Sequence, residues 1–294
     1  MDGILLLDKP LGLSSNKALQ AARSIFKANK AGHTGSLDPL ASGLLPVCFG
    51  EATKFSGFLL ESSKTYRARC QLGQTSTTGD AEGELSVPVE VNIDRATLAR
   101  VVGDFTGRIR QVPPMHSAVK HEGQRLYSLA RQGVEVERAS REVEIYRLDV
   151  LGLNGSQLEL DLCCSKGTYV RTLVEDIGAA LGCGAYLCGL ERTGVDPFWS
   201  GRRYTLDELR AINDDPQQVL DASLLPIDAA LTEWPLLELD ADLTFYLKQG
   251  QPVQVPRAPV RGYVRLVDVD HGFIGAGYIL SDGRVAPKRM LKTV

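Results

Sequence analysis

The stretch Lys64-Thr65-Tyr66-Arg67-Ala68-Arg69-Cys70-Gln71-Leu72 alternates without a break. Successive side chains of a strand point to opposite faces, so Tyr66, Ala68, Cys70 and Leu72 share one face. Thr65, Arg67, Arg69 and Gln71 take the other. Further along, Leu158, Leu160, Leu162 and Cys164 alternate in the same way. They lead into a helical pattern with Val170, Leu173, Val174, Ile177 and Leu181 on its buried face. Upstream, Ile4 to Leu7 reads as a short buried strand and residues 9–12 as a turn. Ser14 or Ser15 then caps a helix with Ala18, Leu19, Ala22, Ile25 and Phe26 inward. Residues 30–46 are punctuated by Gly and Pro and read as loop, and Asp94 caps a helix facing inward through Leu98, Val101, Val102 and Phe105. Residues 107–141 carry Arg108, Arg110, Lys120, Arg125, Arg131, Arg138 and Arg141, a basic excursion over the surface. Strands and helices mix without a regular βαβ alternation. The expected class is therefore α+β, with a mixed, largely antiparallel sheet flanked by helices.

The chain has 294 residues, 44% of them hydrophobic, enough for one large core and a small second one. No stretch approaches the ~18 apolar residues of a membrane helix, and the N-terminus lacks the basic start and apolar run of a signal peptide. Six scattered cysteines without a C-x-x-C pair suit reduced thiols in the cytoplasm rather than disulfides or zinc. Cys183 and Cys188 have no His near them in sequence to complete a metal site. No G-x-G-x-x-G, phosphate-binding loop or H-E-x-x-H occurs, so no cofactor is expected. The net charge is −3, but it is unevenly spread. Residues 204–247 hold ten acids and one base, whereas 248–294 hold eight bases and three acids. The C-terminal piece alone has the charge expected of a nucleic-acid contact, although a solvated face looks the same. Its apolar runs, with turns at His271-Gly272 and Asp282-Gly283, read as a small β-domain over residues 253–294.

Two segments hold the candidate chemistry. Gly32-His33-Thr34-Gly35-Ser36-Leu37-Asp38-Pro39-Leu40-Ala41-Ser42-Gly43-Leu44-Leu45-Pro46 offers one carboxylate in a loop of small residues, where backbone can approach a ligand closely. Asp followed by Pro is equally the signature of a helix N-cap and its first residue, and spacing does not separate the two. In Ser165-Lys166-Gly167-Thr168-Tyr169-Val170-Arg171-Thr172, Thr168 is a candidate N-cap. That puts Arg171 in the first turn, where the helix dipole disfavours a cation. Such an Arg belongs to a structural ion pair or to a site, and either requires a carboxylate partner. Tyr66 has the same two readings, core packing or chemistry.

These segments belong to a longer series. It includes Leu7-Asp8-Lys9-Pro10 with Gly12 and Ser14-Ser15, the Gly32 to Pro46 block, Gly50-Glu51-Ala52-Thr53-Lys54 and Lys64-Thr65-Tyr66. It continues with Pro113-Pro114-Met115, Ser117-Ala118 through Lys120, Lys166 to Arg171, and Leu190 with Arg192-Thr193. In this order, over nearly the whole chain, the sequence resembles the bacterial TruB family of tRNA pseudouridine synthases. The resemblance implies a pseudouridine-synthase-type catalytic domain over 1–235, with an RNA-gripping insertion at about 107–141. It also implies a PUA-like RNA-binding domain over 236–294. The substrate would be the T-loop uridine of tRNA, position 55, flipped out of its stack. By the resemblance, Asp38 is the catalytic aspartate and Arg171 its partner. Tyr66 packs on the base and is a candidate proton acceptor. Leu190 lines the base pocket, and His33 stacks in the space the base vacates. Tyr169 is also placed on the substrate side. Lys9, with Pro10, supports the active-site loop. The implied partner is the tRNA T-arm, with no membrane and no obligatory protein partner, for a monomer in the cytoplasm. A tRNA-folding role on the same scaffold is compatible.

The chemistry agrees with the absent motifs. Pseudouridine formation breaks an N-glycosidic bond, turns the uracil and rejoins it through carbon, with no net redox change. A carboxylate can attack the sugar or stabilise its cationic character, as in glycosidases. At Tyr186, Glu191 and Asp196 the sequence departs from the family pattern, where His, Arg and Gly are usual. Those changes put local RNA contacts in doubt, not the catalytic centre.

Overall fold

A computed structural model describes residues 1–117, 119–215, 217 and 219–292. Ala118 of the resemblance motifs, the side chains of Lys120 and Arg125 in the basic segment, and the last two residues of the C-terminal piece lie outside the described residues. The chain opens with β1 (Gly3–Lys9), α1 (Ser15–Ile25), β2 (Ala31–His33) and β3 (Ala41–Phe49). Ser14 caps α1 by accepting from the Lys17 amide at 3.3 Å. Ser15 does something else. Its hydroxyl donates to Leu37 O at 2.9 Å and accepts from Leu37 N at 2.6 Å, tying the helix start to the loop between β2 and β3.

The loop expected over 30–46 is therefore confined to residues 34–40, with strands on both sides. β3 is buried nearly throughout, so it shows no alternation, and Gly43 and Pro46 disguise it further. Pro46 is tolerated because the second edge of β3 is handed over there. β10 (Ala185–Val195) pairs with residues 41–43 and β2 with residues 47–49. A missing N–H in the gap costs no ladder bond on that side.

After the short α2 (Ser56–Glu61) comes β4 (Lys64–Leu72), alternating as read, with Lys64 also on the buried face. α3 (Arg95–Asp104) is capped by Asp94, which accepts from Thr97 N at 2.7 Å. The basic excursion begins inside the sheet as the edge strand β5 (Gly107–Gln111), so Arg108 and Arg110 project from an ordered strand. It continues through the small hairpin of β6 (Lys120–His121) and β7 (Gln124–Arg125) and the short α4 (Leu126–Ala130). β8 (Arg141–Asn154) and β9 (Gln157–Cys164) return the chain to α5 (Val170–Ala180). Tyr169, not Thr168, stands at the N-cap of α5, and it offers no side-chain bond; the Thr168 hydroxyl donates to Ser165 O instead. α6 (Leu206–Asp214) follows, closed by a Thr205–Glu208 capping box.

The large sheet runs β1-β3-β10-β4-β9-β8-β5, with β2 beside β3. Only β3 and β10 pair in parallel, which gives the α+β class and the largely antiparallel sheet expected. Its largest core lies where β4, β9 and β10 face α3 and α5. A smaller sheet, β11 (Leu236–Leu239), β12 (Gly262–Asp268), β13 (Gly272–Ile279) and β14 (Val285–Met290), holds its own core with α7 (Ala241–Lys248). The turns at His271-Gly272 and Asp282-Gly283 fall between its strands; β11 and α7 lie in the acidic run and carry no turn signal that exposes them. The two sheets touch through Phe55 and Phe58, against Trp234, Tyr263 and Phe273.

Candidate active site

The loop at 34–40 is pinned from several sides. Thr34 N donates to Pro46 O at 3.1 Å, Gly12 N to Pro39 O at 2.8 Å and Ala41 N to Asp38 O at 3.0 Å. With Ser15 holding Leu37, Asp38 has a fixed backbone between two anchors. Pro39 starts no helix; the chain runs on into β3. Asp38 is therefore not an N-cap.

Arg171, in the first turn of α5, is the centre of an ionic bridge. Its Nη2 lies 3.0 Å from Asp38 Oδ2 and its Nη1 3.2 Å from Asp80 Oδ2. The same nitrogens donate to Thr78 O at 3.0 Å and His116 O at 2.8 Å. The Arg171 side chain is 6% exposed and that of Asp80 4%, while the Asp38 side chain is 48% exposed. A buried guanidinium thus has one buried carboxylate behind it and one open carboxylate in front. Asp80 is itself fixed: its Oδ1 accepts from Thr78 Oγ1 at 2.6 Å and from Glu82 N at 3.1 Å. A bridge of Asp80 to Leu187 and a bond from Ala81 N to Leu187 O hold this turn against β10.

Despite Arg171, the Asp38 carboxyl titrates above the ordinary aspartate value. Loss of solvent over the side turned to the protein is the largest cause; Arg171 opposes it, Asp80 adds to it and Lys9 opposes it. Arg171 therefore moderates the cost of ionising Asp38 without cancelling it.

Tyr66 lies on the buried face of β4, directly across from Arg192 on β10. Arg192 is 1% exposed, and its Nε donates to Leu44 O at 2.7 Å and its Nη2 to Gly35 O at 3.1 Å. Burial raises the Tyr66 phenol, Arg192 draws it back, and the charge of Asp38 is felt there as well. Lys9 is fully buried, donating to Pro10 O at 2.9 Å and Leu13 O at 2.6 Å. Burial brings its ammonium down to about 8. His33, at the end of β2, is half-buried, with Nδ1 enclosed and without a hydrogen-bond partner. Burial, with Arg192 adding, lowers its imidazole. Leu190 stands two residues before Arg192 on β10, half-buried. Tyr169 precedes Arg171 by two residues, and the side chain of Gln111 clamps its backbone at both N (3.0 Å) and O (3.2 Å).

The structure thus gathers Asp38, Arg171, Tyr66 and Lys9 around the start of β3, where β10 lies between β3 and β4. Asp80 and Arg192 carry no role in the sequence reading. Asp80 is one of many carboxylates beside a Gly and has no local mark. Arg192 does have one, since an Arg sharing parity with Leu190 interrupts an inward apolar row. Of the three departures from the family pattern, Tyr186 is buried, so it removes no charge from the surface. Glu191 pairs with Arg203 at 3.5 Å and is neutralised locally.

Residues 23–170 match the family model described as TruB family pseudouridylate synthase (N terminal domain). Residues 171–232 match that of the tRNA pseudouridylate synthase B C-terminal domain, and 235–291 that of pseudouridine synthase II TruB, C-terminal. A tRNA pseudouridine synthase B of Nitrosococcus oceani is 53% identical over 98% of this chain and 94% of its own. The chain belongs to the TruB pseudouridine synthase family. A second relative, the tRNA pseudouridine synthase B of Ectopseudomonas mendocina, is 52% identical over all of this TruB-family chain and 96% of its own. Among solved structures, a chain of a Cbf5-Nop10-Gar1 complex superposes with a TM-score of 0.77 at 25% identity, covering 99% of this chain and 84% of that one.

Proposed function

We propose that this chain isomerises the T-loop uridine of tRNA, position 55, to pseudouridine, with Asp38 as the essential carboxylate. The observation that carries the reading is the half-exposed Asp38 carboxylate held 3.0 Å from an arginine that is buried and anchored behind. Full-length similarity to tRNA pseudouridine synthases supports the isomerase class and tRNA as substrate. The reaction begins from ionised Asp38, whose oxygen not engaged by Arg171 is free to meet the sugar or the base of an extruded uridine. Tyr66, beneath it on β4, packs on the base. The ring carbon that joins the sugar loses a proton and the released ring nitrogen gains one. The Tyr66 oxygen is the group that takes the first, and no net acid or base is consumed. Leu190, Tyr169 and His33 bound the space for the base, and Lys9 stiffens residues 10–13 beside the Asp38 loop.

Residues 1–235 form the catalytic domain in this reading, 107–141 grip the T-arm and 236–294 bind RNA backbone through their positive charge. The enzyme works as a monomer in the cytoplasm without an obligatory protein partner. Among the described residues, no helix is long and apolar enough to cross a membrane.

Asp38→Asn keeps the shape of the side chain and removes its charge. Pseudouridine formation on a T-arm stem-loop should vanish, with RNA affinity within a few-fold of the parent. An active Asn variant would end the carboxylate mechanism.

A further inference from the structure

Three cations are buried close together in this molecule, and the chemistry proposed above gives none of them a charged role at the substrate. Lys9, Lys64 and Arg192 are all nearly inaccessible to solvent, and the charge of Arg192 depresses both lysines. Among the described residues, no carboxylate lies within ion-pair distance of any of the three. Lys9 and Lys64 meet this by binding backbone carbonyls, and both ammonium groups fall to about 8, where neutrality becomes accessible. Arg192 has no such escape, because a guanidinium stays charged. A permanent buried cation with neutral partners alone is costly. The cluster is too enclosed for an RNA phosphate to reach it, so any anion it serves is a side chain of the protein.

The backbone indicates which one. Arg192 pairs with Tyr66 across β10 and β4, and with Gly43 across β10 and β3. Gly43, at positive φ, lets the Arg192 backbone come close to β3: a Cβ there would meet Arg192 O at 2.5 Å and Arg192 N at 3.0 Å. Two of its nitrogens are committed to Leu44 O and Gly35 O, which fixes the plane of the guanidinium. Burial disfavours the Tyr66 phenolate, and the charge of Arg192 is what opposes that burial.

We infer that Arg192 is the positioning residue of Tyr66: locked by two carbonyls, it holds the phenol oxygen in place and stabilises its anionic form, so that this oxygen can take the proton released from the uracil carbon. The inference rests on the reading of Tyr66 as proton acceptor. The proton balance closes within the site, since the phenolate accepts a proton from carbon, and the phenol then returns one to the ring nitrogen.

The test is the single-turnover rate on an unmodified T-arm stem-loop across pH for the full chain and for Tyr66→Phe, Arg192→Lys and their double variant. Tyr66→Phe should be slower by ~10²–10⁴-fold, the usual contribution of a general base, and should lose the rise of rate with pH. Arg192→Lys should shift that rise to higher pH and run about tenfold slower at neutral pH for each unit the phenol gains. The double variant should match Tyr66→Phe alone, because the arginine acts through the tyrosine. If Tyr66→Phe is near the parental rate, the reading of Tyr66 fails and the inference with it. If Tyr66→Phe is slow while Arg192→Lys loses rate equally at every pH, or the double variant is slower than Tyr66→Phe, the inference alone fails. Should Arg192→Lys not fold, the isosteric Tyr66→Phe suffices for a second measurement. The ¹⁵N resonances of the Arg192 guanidinium should shift when the phenol oxygen is removed, and unmoved resonances would overturn the assignment.

Discussion

Asp38 and Asp80 share one guanidinium and differ in everything else. Asp80 is enclosed and fixed by Thr78 and Glu82, whereas Asp38 faces the open side of the site. The negative charge of Asp80 raises the Asp38 carboxyl, against the pull of Arg171. In Asp80→Asn that repulsion disappears, so Asp38 should ionise at lower pH. The acid limb of the pH–rate profile should move down, the opposite of what a simple loss of site integrity gives. The same variant removes one buried charge of a pair, at a cost of about 3 kcal/mol in stability. Thermal melting beside the pH profile checks both, and an unmoved acid limb would remove Asp80 from the electrostatics of the site. None of this coupling is legible in the sequence. Asp38 and Arg171 are marked by their motifs, but the carboxylate behind Arg171 reaches it only because the turn at 76–83 folds back onto β10.

At the scale of elements, the positions of the site follow from how β3 is held. The alternating strands β4 and β9 are legible because one face of each is wet, and period two survives in the residue types. β3 is not, because burial on both sides erases the period and because Gly43 and Pro46 imitate a loop. The helix α1 is legible with its cap, yet the second role of Ser15 is not, since a hydroxyl that binds a residue 22 positions away leaves no local trace. Ser15→Ala strands both polar groups of the Leu37 backbone in a buried setting, a cost of ~1–3 kcal/mol. It also frees one anchor of the loop that carries Asp38. The single-turnover rate should fall while RNA affinity stays close to the parent. A variant that melts lower but reacts at the parental rate would show that the anchor stabilises the fold without positioning Asp38.

Across the whole molecule, the charge pattern foretells a separate basic C-terminal piece, and the smaller sheet does form apart from the larger one. What charge does not reveal is how firmly the two are joined. Trp234 stacks on Tyr263 at 4.8 Å and meets Phe58 edge-on at 4.8 Å; Phe273 lies 5.6 Å from Phe55. Lys54 Nζ donates to Met290 O at 3.0 Å, and Lys292 N to Glu51 Oε2 at 2.7 Å. Ending the chain after Pro235 therefore uncovers Phe55, Phe58 and Trp234. At ~1.5–3 kcal/mol for each large side chain returned to water, the truncated protein should melt several degrees lower or aggregate. An unchanged melting temperature would mean that the aromatic contact contributes nothing. The full chain is accordingly the right form for testing what the protein does. The most direct measurement incubates the purified full-length protein with an unmodified tRNA transcript, with no cofactor and no second protein, and maps pseudouridine along the RNA. The account predicts conversion of the T-loop uridine alone, and none with Asp38→Asn. A transcript left unchanged by the intact protein, or modified only when another protein is added, would contradict it.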